Sequence, residues 1–143
     1  MQLPFLQRLV PGLRILPLLM GTQSRLEVQA LTQALVRTAV EHELLLVASS
    51  DLSHYHPAAR ANALDREVVA QVEALDPDGL MARLEGFRGH ACGGGPMVAV
   101  MGACRALGAT QAAVLRYADS GDAGEHDKSR VVGYLSAAFW SPS

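Results

Sequence analysis

Aromatic side chains are scarce: one Trp, three Tyr and three Phe make up 5% of 143 residues. A core must therefore come mostly from Leu, Val and Ala packed around a Gly-rich backbone, which suits α/β layers better than a small β-sandwich. Cysteine is scarcer still. Cys92 and Cys104 cannot make a disulfide framework, and a reducing cytoplasm is the expected compartment. Charge is thin as well, with 18% charged residues, 12 Lys and Arg against 14 Asp and Glu, and a net charge of -2. No polybasic surface exists of the kind that binds nucleic acid or anionic lipid, so neither is expected as a partner. Long apolar runs are missing too. Arg8, Arg14 and Arg25 with no acid among the first 26 residues resemble a targeting peptide superficially, but Pro4, Pro11 and Pro17 interrupt them. The longest apolar run there, residues 15–20, is too short for a signal core or a membrane span.

What is present is enough for one domain: 50% of positions are hydrophobic, with no internal repeat, low-complexity tract or linker. The apolar start at Gln2, Leu3, Pro4 and Phe5 has no polar lead-in and reads as if the chain began inside a larger domain. Residues 14–20, closed by Gly21, read as a buried strand, with Pro17 best placed at an edge or bulge. Ser24 and Glu27 have capping-box spacing and open a helix running to Glu41 or His42, with Leu26, Ala30, Leu31, Ala34, Leu35 and Ala39 as its apolar stripe. Residues 44–48 are continuously apolar, the pattern of a central parallel strand covered on both faces.

A helix follows over about residues 59–75, with Ala61, Leu64, Val68, Val72 and Leu75 on one face. Asp76 and Pro77 cap and start another, with Leu80, Met81 and Leu84 inward. After a Gly-rich loop over residues 86–95, a helix begins at Pro96 and ends at Gly108, with Met97, Val100, Met101 and Cys104 on one face and Cys104 in the core. Residues 112–117 and 131–139 read as strands, possible partners in a hairpin, joined by a polar connection over residues 118–130. The expected fold is a three-layer α/β arrangement with a mixed, mostly parallel sheet flanked by helices.

Two segments are dense in chemistry. Asp51, His54 and His56 follow the apolar run 44–48, at the carboxyl end where open α/β sheets bind ligands. Imidazole and carboxylate are both metal ligands and general acid/base groups. The competing reading is that Asp51 and Ser53 satisfy backbone donors at the strand exit while His56 merely precedes a helix starting at Pro57. Cys92 lies in a Gly-rich loop just before a helix N-terminus, where backbone N–H groups and the macrodipole favour a thiolate. It is either a soft metal ligand or nucleophile, or a small residue in a tight turn. A zinc site from Asp51, His54, His90 and Cys92 is a further reading, without the spacing of known zinc motifs. Gly93, Gly94 and Gly95 lack the spacing of phosphate-binding loops, and Ser49 and Ser50 lack the context of a hydrolase nucleophile. Asp119, Ser120, Gly121 and Asp122 read as a turn that could wall the same crevice.

Several segments, taken in order, resemble the Memo family, whose prokaryotic members are called AmmeMemoRadiSam system protein B and which is related in fold to class III extradiol ring-cleavage dioxygenases. They are Gln2-Leu3-Pro4-Phe5-Leu6-Gln7, Ile15-Leu16-Pro17-Leu18-Leu19-Met20-Gly21 and Val47-Ala48-Ser49-Ser50-Asp51-Leu52-Ser53-His54-Tyr55, followed by Leu75-Asp76-Pro77, Ala91-Cys92-Gly93, Tyr117-Ala118-Asp119-Ser120-Gly121-Asp122 and Val131-Val132-Gly133-Tyr134. The resemblance implies a single Memo-like domain over residues 1–143 that covers the C-terminal half of a family domain, the preceding half supplying two metal-binding histidines. It implies Cys92 as a metal ligand and Asp51 and His54 as catalytic residues lining the same pocket, His54 acting as acid/base beside nonheme iron. A thiolate in place of the carboxylate of the dioxygenases also suits copper(I).

On this resemblance the chain is a metal-binding fragment of a nonheme iron or copper oxidoreductase, expected not to hold iron tightly by itself. The alternative is a non-catalytic module that docks a peptide or partner enzyme, and family context implies radical SAM and AMMECR-type partners.

Overall fold

The computed structural model describes residues 2–122 and 127–142. The chain opens with a short helix that no periodicity announced, α1 (Leu3–Leu9), with Pro4 in its first turn, where a missing N–H costs nothing. It buries none of its residues. Next comes α2 (Arg25–Glu41), and the expected capping box is formed: Ser24 accepts from the Glu27 N–H while the Glu27 carboxylate accepts from the Ser24 N–H. Its inward face is rotated from the expected stripe, because Val28 is buried while Leu26 and Ala30 are exposed.

A short strand, β1 (His54–His56), leads into α3 (Ala58–Glu73) and α4 (Pro77–Gly86), whose N-cap Asp76 accepts from the Gly79 N–H at 3.0 Å. One turn of 3-10 helix at Arg88–His90 precedes α5 (Gly94–Ala106). Gly108, at a φ of +98°, supplies the left-handed residue that ends that helix. The chain closes with β2 (Gln111–Asp119) and β3 (Val131–Trp140). Of the polar connection between them, residues 123–126 lie outside the described residues.

The sheet corrects the expectation of a mixed, mostly parallel sheet in three layers. Among the described residues it has three strands in the order β1-β3-β2, and both pairings are antiparallel. The reason is where the backbone hydrogen bonds go. Strands β2 and β3 form a hairpin ladder from Gln111↔Trp140 to Asp119↔Gly133, and β1 returns along the other side of β3. Among the described residues, the segments expected as a buried strand, 14–20, and as a central parallel strand, 44–48, join no ladder. Both are apolar but largely exposed, so neither the burial expected of 14–20 nor the cover on both faces expected of 44–48 is met in this chain.

The core lies between the helices and the hairpin. Val28, Leu52, Val68, Leu80, Ala99 and Met101 are its buried centre, and Val114, Leu135 and Phe139 pack on it from the sheet. Buried among these is a charged residue, Asp65 of α3, whose side chain bonds across to two other elements. Among the described residues, no helix is long and apolar enough to cross a membrane.

Candidate metal centre

Residues 50–56 are held in place by three other parts of the fold. Leu52 donates its N–H to the Gly133 carbonyl at 2.9 Å, and the Gly133 N–H donates to the Ser53 carbonyl at 3.0 Å. The Ser53 N–H donates to Asp65 Oδ1 at 2.9 Å, and the Tyr117 hydroxyl donates to Asp65 Oδ2 at 2.7 Å. Burial and the bond to this carboxylate hold the Tyr117 hydroxyl well above the ordinary tyrosine pKa. At Gly133 the backbone comes so close to Asp65 that a Cβ would overlap Oδ2 and lie 2.8 Å from Cγ. The register of β1 on β3 shifts between His54 and His56, and Tyr55 between them has a φ of +62°. A tyrosine in the left-handed region is strained by roughly 1 to 3 kcal/mol, held here by the pairing on both sides. Its ring lies under the Arg130 guanidinium, 5.4 Å from the centroid.

The second segment, residues 91–95, is laid against the first. The Cys92 N–H donates to the Asp51 carbonyl at 3.2 Å, and the Gly93 N–H to Ser50 Oγ at 2.8 Å. A Cβ on Gly93 would come 2.7 Å from the Ser49 carbonyl oxygen, so only glycine allows this approach. Gln23, just before α2, clamps the loop from the other side: its amide nitrogen donates to the Cys92 carbonyl at 2.9 Å and its amide oxygen accepts from the Gly95 N–H at 2.7 Å.

This docking brings together Asp51, His54 and Cys92. One ligand atom from each lies within 4.8 Å of the others, and His54 Nε2 is 3.6 Å from Asp51 Oδ2. Asp51 and His54 are half-buried and Cys92 is exposed, so the cluster is open to a ligand from solvent. Among the described residues it is the one group of three such side chains placed this way. The donor types fit a metal ion: with bonds of about 2.0 to 2.3 Å, tetrahedral sites have neighbouring ligands about 3.3 to 3.8 Å apart, a spacing that the His54–Asp51 pair meets at 3.6 Å while the cluster as a whole lies within 4.8 Å. Carboxylate, imidazole and thiolate together suit iron, zinc or copper and not magnesium or calcium.

Other candidates fall elsewhere. His56 is outside the cluster. His90 is buried, with Nδ1 3.3 Å from the Leu64 carbonyl and Nε2 3.8 Å from Glu67, so it cannot join a zinc site with Cys92. Cys104 is half-buried, and burial raises its thiol pKa. Asp119 ends β2 and Ser120–Asp122 is a 3-10 turn beside β1: Ser120 Oγ accepts from the Val132 N–H, and Val132 pairs with His54. Lys128 donates to Asp119 at 2.7 Å and to Asp122 at 2.5 Å.

Sequence reasoning missed Gln23 and Asp65, whose roles depend on partners 69 and 12 residues away respectively, and Ser50, considered only as a nucleophile. Asp65 left one readable signal, an acid inside the apolar stripe of α3 beside Leu64 and Val68.

Comparison with known proteins places the chain in a family. A family model described as Memo-like protein matches residues 1–138. A MEMO1 family protein of Methanopyrus kandleri is 36% identical over 141 residues, covering 96% of this chain and 50% of that protein. One of Methanosarcina mazei is 39% identical over 139 residues, covering 94% of this chain and 51% of that protein. One of Sulfolobus acidocaldarius is 35% identical over 141 residues, covering 96% and 49%. The chain thus spans about half the length of the curated relatives it matches. Matched along nearly its whole length, it belongs to the Memo-like protein family.

Proposed function

We propose that this chain is a metal-binding protein of the iron or copper oxidoreductase type, with one ion held by Asp51, His54 and Cys92. The observation that carries this reading is the cluster itself: three donors of different hardness, from two segments that two hydrogen bonds join, with Gln23 clamping the second by two more, at an open surface. Cys92 is the anchoring soft ligand. Asp51 contributes a carboxylate and orients His54, whose Nε2 stands 3.6 Å away and, when it is not ligating the ion, can hold or release a proton toward a bound substrate. A bound iron or copper ion would supply Lewis acidity and one-electron chemistry at coordination positions that three protein ligands leave open. Two free cysteines fit a reducing, cytoplasmic setting.

Three ligands, one of them exposed, make binding reversible rather than tight. Anaerobic titration of the full chain with Fe(II) and with Cu(I) tests this, against Cys92→Ala and His54→Ala. The expected result is one exchangeable ion per chain, with affinity reduced at least about tenfold by Cys92→Ala. Tight stoichiometric iron binding that survives Cys92→Ala would overturn the reading.

A further inference from the structure

Helix α5, which begins just after Cys92, has Gly93 as its N-cap, and a glycine has no side chain to accept from the free N–H groups of a first turn. Nothing larger fits there, because a Cβ would lie 2.7 Å from the Ser49 carbonyl oxygen. The cap is supplied from outside. Gln23, half-buried just before the N-cap of α2, accepts from the Gly95 N–H through Oε1 at 2.7 Å, the bond that an N-cap serine or asparagine makes in an ordinary helix. Ser50 Oγ accepts from the Gly93 N–H at 2.8 Å.

The same amide makes a second bond, its nitrogen donating to the Cys92 carbonyl at 2.9 Å. Its orientation is fixed by its partners, since the Gly95 N–H requires the oxygen and the Cys92 carbonyl requires the nitrogen. The stem of Gln23 and the Met20 sulfur lie against Gly95, each 2.9 Å from where a Cβ would stand, so the amide sits close over the loop. The thiol of Cys92 has only loose polar neighbours, Sγ being 3.7 Å from the Asp51 carbonyl and 3.9 Å from Ser50 Oγ. Its place is therefore set by its backbone. That backbone is held on one side by the Asp51 carbonyl, which accepts the Cys92 N–H at 3.2 Å, and on the other by Gln23.

We propose that Gln23 is a positioning residue for the Cys92 ligand, its amide tying the cap of α5 to the Cys92 carbonyl so that the thiolate is held beside Asp51 and His54. The inference rests on the metal reading above and adds to it a residue that touches no ion. Donor and acceptor are both in use, so neither a hydrocarbon nor a carboxylate of the same length can replace the amide. Partners standing behind a metal ligand are commonly worth about ten- to a hundredfold in affinity.

Two variants of the full chain, matched in length, separate the cap from the positioning. Gln23→Met keeps the stem and loses both bonds; Gln23→Glu keeps an acceptor for the Gly95 N–H but turns an oxygen toward the Cys92 carbonyl. Gln23→Met should lower Tm by about 3 to 5 °C through the lost cap, and Gln23→Glu should restore most of that. Both should weaken Cu(I) binding at least about tenfold in anaerobic competition with a chelating dye, and both should reduce the thiolate-to-metal charge-transfer absorption in a Co(II) titration. A carboxylate added near the centre would tighten a cation by charge alone. Weaker binding by Gln23→Glu at a nearly normal Tm is therefore the signature of a displaced thiolate. Equal Cu(I) and Co(II) binding by Gln23→Glu and the unaltered chain would overturn the inference and leave the metal reading standing, reducing Gln23 to a helix cap. An unaltered chain that binds neither ion would overturn both.

Discussion

Gly133→Ala tests how the site is held. The added methyl would overlap Asp65 Oδ2 and lie 2.8 Å from its Cγ, more than half an ångström inside an ordinary contact. Neither side can yield freely. Asp65 is 0% exposed and held by the Ser53 N–H and the Tyr117 hydroxyl, while Gly133 is fixed in the β3 ladder and bonded to Leu52 and Ser53. Overpacking of this kind costs about 1 to 3 kcal/mol, and weakening the two bonds to a buried carboxylate adds about 1 to 2 kcal/mol. A total near 3 kcal/mol is expected, or about 8 to 10 °C in Tm for a chain of this size. Asp65→Ala alone should cost about as much by orphaning the Ser53 and Tyr117 donors.

The discriminating variant is the double one. With the colliding carboxylate gone, the alanine at 133 should add less than about 1 kcal/mol, giving a coupling of about 2 kcal/mol in a urea-unfolding cycle. Costs that simply add would refute the claim that Gly133 exists to admit Asp65. Because Gly133 also docks Leu52 and Ser53, the single variant should weaken Fe(II) and Cu(I) binding as well.

Other outcomes follow from the same contacts. Among the described residues Ser53 Oγ is buried without a hydrogen-bond partner, so Ser53→Ala should leave stability unchanged or raise it by up to about 1 kcal/mol in denaturant unfolding; a clear loss would mean the hydroxyl is bonded. The folded state raises the Tyr117 pKa above that of the unfolded chain, so the unfolded state releases its proton first, and stability present below about pH 10 is lost above it. Tyr117→Phe should flatten that alkaline decline in a pH series of melting curves. Ellman's reagent should modify Cys92 quickly and Cys104 slowly, since Cys92 is exposed and burial keeps Cys104 a neutral thiol, and Cys92→Ser should remove the fast phase alone. Gly93→Ala, which sets a Cβ against the Ser49 carbonyl, should weaken ion binding more than it lowers Tm.

Local signals were legible and long-range ones were not. Ser24 with Glu27 and Asp76 with Pro77 announced their helices because a cap is an interaction within one turn. The strands β2 and β3 were legible from their apolar runs, and their pairing only as one possible hairpin, because its partners stand 14 to 29 positions apart. Residues 44–48 misled, since a continuous apolar run states only that the side chains avoid water, not which backbone completes the ladder. Of the site, Asp51, His54 and Cys92 were marked by residue type and by resemblance to a family. Their meeting was implied by the resemblance alone and not by spacing, because it depends on glycine at 93 and 133 and on Gln23 and Asp65 reaching in from other elements.

Cys92 stands 41 positions from Asp51, so nothing local can preassemble the cluster. An ion bridging the two would act as a reversible cross-link around that loop, present only in folded molecules. Saturation at a hundred times Kd would then raise stability by about 2.7 kcal/mol. Metal supply and the survival of the chain would become one thermodynamic variable, and a chain starved of metal would be cleared faster than a loaded one.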